Sequence, residues 1–254
     1  VYAIGAPPDL QPWGGGNREA ASGRDPAGGI AVEGGVGAWQ VAAVAELSLH
    51  DPSRELVGSR VRLRPLRVED YAAWREVRTR CRDWLARWEP RPAGAPYPSE
   101  DRATFAARCA MRERERQLGT GYGFGIFVSG HFAGEINLSA IQRGAFQNGY
   151  VGYWVDEAEA GQGYVPESCV VLFRFAFEEL GLHRVQIAIV PRNAPSRRVA
   201  QKLWLRGEGV ALRYLEIDGR WEDHVRYAIT AEEWEERRER YLEQWLGVPG
   251  EAQA

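Results

Sequence analysis

The stretch from Tyr150 to Leu180 constrains the fold most, because a strand, a glycine turn and a long amphipathic helix follow one another almost without connecting residues. Tyr150-Val151-Gly152-Tyr153-Trp154-Val155 is rich in β-branched and aromatic residues, as a buried strand requires, and the charged run Asp156 to Glu159 ends it. From Pro166 onward Val170, Phe173, Phe177 and Leu180 recur at helical spacing, and proline is tolerated in a first helical turn, where its missing N–H costs nothing. Between the two, Gly161-Gln162-Gly163-Tyr164 leaves backbone N–H groups uncovered where the first four N–H groups of the helix lack partners. An anionic phosphate can dock there, against the positive end of the helix dipole. The same G-x-G is also compatible with an ordinary tight connection. A dinucleotide-binding unit needs a third glycine and an acidic residue ending the next strand. That strand, Val185 to Val190, is followed instead by Pro191-Arg192-Asn193-Ala194-Pro195-Ser196.

The flanking patterns build a sheet around this unit. Val61 to Leu66 alternates charged and apolar residues as a half-buried strand does. Val68 to Arg80 reads as a helix with Glu69 and Asp70 at its N-terminus, and Cys81 to Trp88 as a short second one. Pro90, Pro92, Pro96 and Pro98 impose a loop, after which Ser99 is placed to cap a charged helix reaching about Leu118. Tyr122 to Val128 and Phe132 to Ile141 read as strands joined by a turn at Ser129-Gly130-His131. Asp218-Gly219 between Gly209–Ile217 and Trp221–Ile229 is the strongest hairpin signal in the chain. Thr230-Ala-Glu-Glu233 is a capping box opening a C-terminal helix. The order β-α-α-α-β-β-β-α-β-α-β-β predicts an α/β (α+β) mixed sheet with helices on both faces.

Composition narrows the function. The net charge of −3 argues against a general nucleic-acid binder, which carries a basic excess. Three widely spaced cysteines, Cys81, Cys109 and Cys169, exclude a disulfide framework and any zinc-ligand spacing. No apolar run is long enough to span a membrane, so a cytoplasmic protein is the expectation. Residues 1–53 are glycine-rich without helix or strand period and are expected to be a disordered extension, dispensable for folding. The folded domain is expected over 54–246, with a tail over 247–254.

Several motifs occur together in register: Trp88-Glu89-Pro90, Gly134-Glu135-Ile136-Asn137-Leu138-Ser139, Gly152-Tyr153-Trp154, Gly161-Gln162-Gly163-Tyr164, Leu182-His183-Arg184, Asn193-Ala194-Pro195-Ser196, and Asp218-Gly219-Arg220-Trp221-Glu222-Asp223-His224. Through them the chain, from about Arg60 to Ile229, resembles the GNAT acetyltransferases, and within these the RimJ-type ribosomal-protein N-terminal (alanine) acetyltransferases. The resemblance implies a GNAT fold, a mostly antiparallel mixed sheet splayed between two parallel strands. It also implies acetyl-CoA as acetyl donor and direct transfer to an amine without a metal. The expected acceptor is the N-terminal α-amine of a protein or peptide, a ribosomal protein foremost. A small amine such as an antibiotic or polyamine, or a non-catalytic acyl-CoA-binding role in ribosome assembly, are the alternatives.

By the same resemblance the pantetheine arm would lie along main-chain groups of Trp154 and Val155. The pyrophosphate would meet the turn Gly161, Gln162, Gly163, Tyr164 and Val165. Asn193 would hold the arm, and Ser196 would protonate or stabilise the departing thiolate. Asn193 and Ser196 can equally be helix caps. Glu135, on an interior strand where a carboxylate is unexpected unless partnered, is the candidate base for the amine proton, the other readings being a solvent-facing carboxylate or a water-mediated route. Arg184 and Arg197 could attract a further phosphate or lie solvated on the surface, and His183 and His224 are structural or proton carriers. Leu203-Trp204-Leu205 departs from the family's Leu-Gly-Phe, so Trp204 either adopts a left-handed cap at a cost or the helix ends differently.

Overall fold

The computed structural model describes residues 51, 54–96 and 98–247. Apart from Asp51, the extension expected over residues 1–53 lies outside them, as does the tail beyond Gly247. The elements are β1 (Leu56–Val57), β2 (Val61–Arg64), α1 (Tyr71–Arg80, entered through a 3-10 turn at Val68–Asp70), α2 (Arg82–Ala86), α3 (Arg102–Gln117), β3 (Tyr122–Val128), β4 (His131–Gln142) and β5 (Asn148–Val155). There follow α4 (Tyr164–Arg174, continued by a π turn at Phe175–Glu179), β6 (Arg184–Ile189), α5 (Ala194–Lys202), β7 (Arg206–Ile217), β8 (Arg220–Thr230) and α6 (Ala231–Tyr241). Among the described residues no helix is long and apolar enough to cross a membrane.

The strands form one open sheet in the order β1-β2-β3-β4-β5-β6-β8-β7. Every neighbouring pair is antiparallel except β5 and β6. Period-two alternation divides the core between the two faces. Val151, Tyr153 and Val155 of β5 and Val185, Ile187 and Ile189 of β6 pack with Val170 and Phe173 of α4 and Val199 of α5. Trp154 turns to the opposite face, where Trp74 and Val77 of α1, Leu85 of α2 and Phe105 of α3 meet Phe127 and Phe132. The sheet is thus covered on both sides, as the element order requires.

Turn chemistry accounts for the hairpins. Ser129 and Gly130 (φ +48° and +84°), like Asp218 and Gly219 (+46° and +78°), have positive φ at both central positions, as a type I′ turn demands. Thr230 and Glu233 close the expected capping box before α6. The cap of α3 differs from expectation. It is Asp101, whose carboxylate accepts from the Thr104 amide at 2.8 Å, while the Ser99 hydroxyl donates to Asp101 in turn. An ionised carboxylate satisfies the orphan amide and complements the helix dipole, so it displaces the neutral hydroxyl two residues earlier.

Trp204 takes the strained option. Its φ is +46°, its amide donates to the Gln201 carbonyl and that of Leu205 to the Ala200 carbonyl. This is the Schellman pairing normally served by glycine. Near the other end of the sheet, β7 is an outer strand interrupted by two bulges against β8, with Val210 and Leu212 exposed.

Candidate active site

The two parallel strands pair over only three positions, Asn148↔Arg184, Gly149↔Val185 and Tyr150↔Gln186. β5 nevertheless continues to Val155, held by Gly134 of β4, and β6 to Ile189, held by Val225 of β8. Each strand therefore keeps its outer partner while the inner edges separate beyond Tyr150. The wedge exposes two facing rows of main-chain donors and acceptors with no strand between them among the described residues, the geometry needed to receive an extended amide-bearing chain.

The mouth of the wedge opens into a cleft of about 280 Å³ whose walls include Val155, Gly161, Gly163, Tyr164, Val165 and Pro195. Five sequence-predicted residues thus converge at one place. Gly161 and Gly163 have φ of +86° and +89°, the left-handed region that glycine enters without steric cost. Gly163 is the residue before the first turn of α4, and Pro166 falls within that turn. A Cβ at Gly161 would meet open space, whereas one at Gly163 would come within 3.2 Å of Arg60 Nη2 and 3.7 Å of Trp245. Gln162 is exposed, and its carbonyl accepts from Arg60 Nη1 at 3.1 Å.

Asn193 and Ser196 lie at the start of α5, next to the cleft residue Pro195. Asn193 caps the helix, its Oδ1 accepting from the Ser196 amide at 3.2 Å. Ser196 is fully buried, and its hydroxyl lies 2.8 Å from the phenol of Tyr153, which comes from β5. Burial raises the Tyr153 phenol well above its ordinary pKa, so it stays protonated.

Glu135 sits elsewhere. It is 3% exposed and faces α1 and α3, on the side of the sheet opposite α4; Oε1 accepts from Trp74 Nε1 at 2.8 Å and Oε2 from the Arg108 guanidinium. It lines a separate cavity of about 320 Å³ beneath α3, with β5 between it and the wedge. His224 is buried with Nδ1 2.9 Å from the Glu222 carbonyl, so that nitrogen carries the hydrogen, and burial lowers its pKa toward the neutral form. His183 pairs with Glu232 at 3.1 Å on the surface. Arg184 is paired with Glu208, and Arg197 donates to the Tyr227 hydroxyl and the Pro191 carbonyl, both at 3.3 Å.

Residues 60–205 match the acetyltransferase (GNAT) domain family. The chain is 33% identical over 177 residues to the probable N-acetyltransferase YjcK of Bacillus subtilis, covering 68% of this chain and 96% of that protein. The chain belongs to the GNAT acetyltransferase family. Another relative, the [ribosomal protein uS5]-alanine N-acetyltransferase of Escherichia coli, is 32% identical over 172 residues, covering 66% of this chain and 87% of that protein. Among solved structures, Mycobacterium smegmatis RimJ in complex with CoA-disulfide superposes with a TM-score of 0.66 at 34% identity, covering 72% of this chain and 87% of that one. As a GNAT enzyme the protein is an acyltransferase that uses acetyl-CoA.

The site suits that donor. A wedge of unpaired main chain, a glycine turn at a helix N-terminus and two cations on the cleft wall match an amide-bearing arm ending in phosphates. The two cations, Arg198 and Lys202, are not among the residues the sequence singles out; Arg184 and Arg197, named there as phosphate ligands or solvated surface arginines, are not on the cleft wall. Arg198 and Lys202 stand four residues apart on α5 and so share one face, a spacing visible in the sequence once the helix is placed. Trp84 of α2, also on the cleft wall, had no local signal.

Proposed function

We propose that the protein transfers the acetyl group of acetyl-CoA to the free α-amine at the N-terminus of a protein or peptide, with a ribosomal protein as the leading acceptor. The relatives named for ribosomal-protein alanine acetylation support this acceptor class, the Escherichia coli enzyme at 32% identity and a Vibrio fischeri structure at 26%. The observation favouring a peptide over a polyamine is that four acids on the side of the sheet opposite α4 are each neutralised by an arginine. Glu135 is held by Arg108, Glu89 by Arg78, Glu222 by Arg192 and Asp218 by Arg91. A polycation needs unneutralised carboxylates. A peptide terminus carries one ionisable amine on an extended neutral backbone.

In this reading acetyl-CoA supplies the activated acyl group, and the chain's residues orient it. Main-chain groups of Trp154 and Val155 pair with the pantetheine arm. The N–H groups of Gln162 to Val165, with Arg198 and Lys202, hold the phosphates. Asn193 fixes the first turn of α5 and keeps Ser196 where its hydroxyl, itself bonded to Tyr153, donates a hydrogen bond to the departing sulfur. Both Glu135 oxygens already accept hydrogen bonds from Trp74 and Arg108, so the amine proton leaves through water, and Glu135 acts as a structural anion.

Incubation with acetyl-CoA and a library of N-terminal peptides, read by mass spectrometry, tests the acceptor. Blocking the α-amine of a good peptide while leaving a lysine free is expected to abolish acetylation. Equal modification of the lysine would overturn the N-terminal assignment and leave family membership intact.

A further inference from the structure

Arg60 does not line the cleft, yet it lies against three residues of the glycine turn, Gln162, Gly163 and Tyr164. Its Nη1 donates to the Gln162 carbonyl at 3.1 Å, its guanidinium carbon stands 5.0 Å from the centre of the Tyr164 ring, and Nη2 occupies the space beside Gly163. Its Nε donates to Glu167 Oε2 at 2.8 Å. Glu167, in the first turn of α4, is fully buried, and its other oxygen accepts from the amides of Arg60 at 2.5 Å and Val61 at 3.1 Å. A buried carboxylate with three donors is held rigidly, because loss of any one exposes an uncompensated charge. The start of β2, the turn and α4 are thereby joined at one guanidinium.

The peptide plane gives this join its consequence. In a trans peptide the carbonyl of one residue and the N–H of the next point in opposite directions. With the Gln162 carbonyl drawn to Arg60, the Gly163 N–H is directed away from Arg60, and Gly163 itself lines the cleft. We propose that Arg60, anchored by Glu167, is a positioning residue that sets the Gln162–Gly163 peptide in the orientation that binds the pyrophosphate of CoA. This rests on the acetyl-CoA reading of the glycine turn. The contact is with the turn's backbone, so geometry matters more than charge, and lysine cannot supply the Nε and Nη1 contacts together.

Calorimetric Kd values for CoA and for pantetheine, which lacks the pyrophosphate, are measured on the wild type, Arg60→Met, Arg60→Lys and Glu167→Gln, each with its melting curve without ligand. Arg60 is about half exposed and its substitution leaves Glu167 the two backbone amides, so the Met and Lys variants are expected to fold, at a lowered melting temperature, even where Glu167→Gln does not. CoA is expected to bind the Met and Lys variants about tenfold more weakly, as for the loss of a charge-assisted hydrogen bond, with pantetheine unchanged. Unchanged CoA binding in Arg60→Met, wild-type affinity in Arg60→Lys, or equal weakening of pantetheine would each overturn the proposal. A wild type that binds CoA no better than pantetheine would overturn the pyrophosphate assignment itself, a distinct failure.

Discussion

His224 shows what a single side chain contributes beyond the site. Its ring is fully buried, bonded through Nδ1 to the Glu222 carbonyl and packed edge-on against Tyr214 at 5.5 Å. Burial lowers its folded pKa, so the folded state resists protonation while the unfolded chain accepts a proton near pH 6.5. The stability this confers is complete above the unfolded value and is lost as pH falls through it. Lowering pH from 7.5 to 5.5 is expected to cost the wild type up to about 1 kcal/mol through this residue. His224→Asn keeps a donor for the carbonyl and removes the titration, so its melting temperature should vary less over that interval. An equal slope in both proteins would assign the acid sensitivity to other groups. At Trp204 magnitudes decide the sign. The left-handed conformation costs roughly 1 kcal/mol. Against this, Arg240 lies 3.8 Å over the ring and Tyr241 5.9 Å from its centre, contacts worth roughly 0.5–1 and 0.5–1.5 kcal/mol beyond the area they bury. Trp204→Gly, although it relieves the backbone, is therefore expected to lower stability by about 1 kcal/mol, measured by denaturant unfolding.

At the scale of elements, legibility follows sequence distance. The strand, turn and helix from Tyr150 to Leu180, both I′ hairpins and the capping box at Thr230 were readable because their determinants lie within a few residues. The α3 cap differs from the expectation because Ser99 and Asp101 both suit the position, and only the folded geometry shows which carries the amide bond. That Glu135 needs a partner is legible in this way, but which partner it finds is not. Its partners Trp74 and Arg108 are 61 and 27 residues away, on helices whose orientation no local pattern gives. These contacts make it a tie between β4, α1 and α3. Glu135→Gln keeps an acceptor for the indole and leaves Arg108 to turn toward water, which its 28% side-chain exposure permits. The expected loss is about 1–2 kcal/mol of stability with an unchanged pH–rate profile. A rate restored by raising the pH would instead identify Glu135 as the base.

For the whole molecule, the splay of β5 from β6 creates the site, and it was anticipated only through family resemblance. Nothing in Val151 to Val155 or Ile187 to Val190 says that these buried runs stop pairing after three residues. Among the described residues the open eight-stranded sheet also leaves two rims. β1 is only two residues long, but β7 is twelve; its last residues are bridged by Pro90 and Arg91, while Val210 and Leu212 lie exposed along the remainder. A flat rim of that length and composition would template the addition of further strands and lead to aggregates. The bulges between Gly207 and Val210 and between Ala211 and Leu215, with Arg213 at φ +47°, interrupt the regular ladder and bend the strand. The irregularity of β7 is therefore a solubility device: it denies another copy of the chain a straight run of hydrogen-bonding groups on which to grow a fibril.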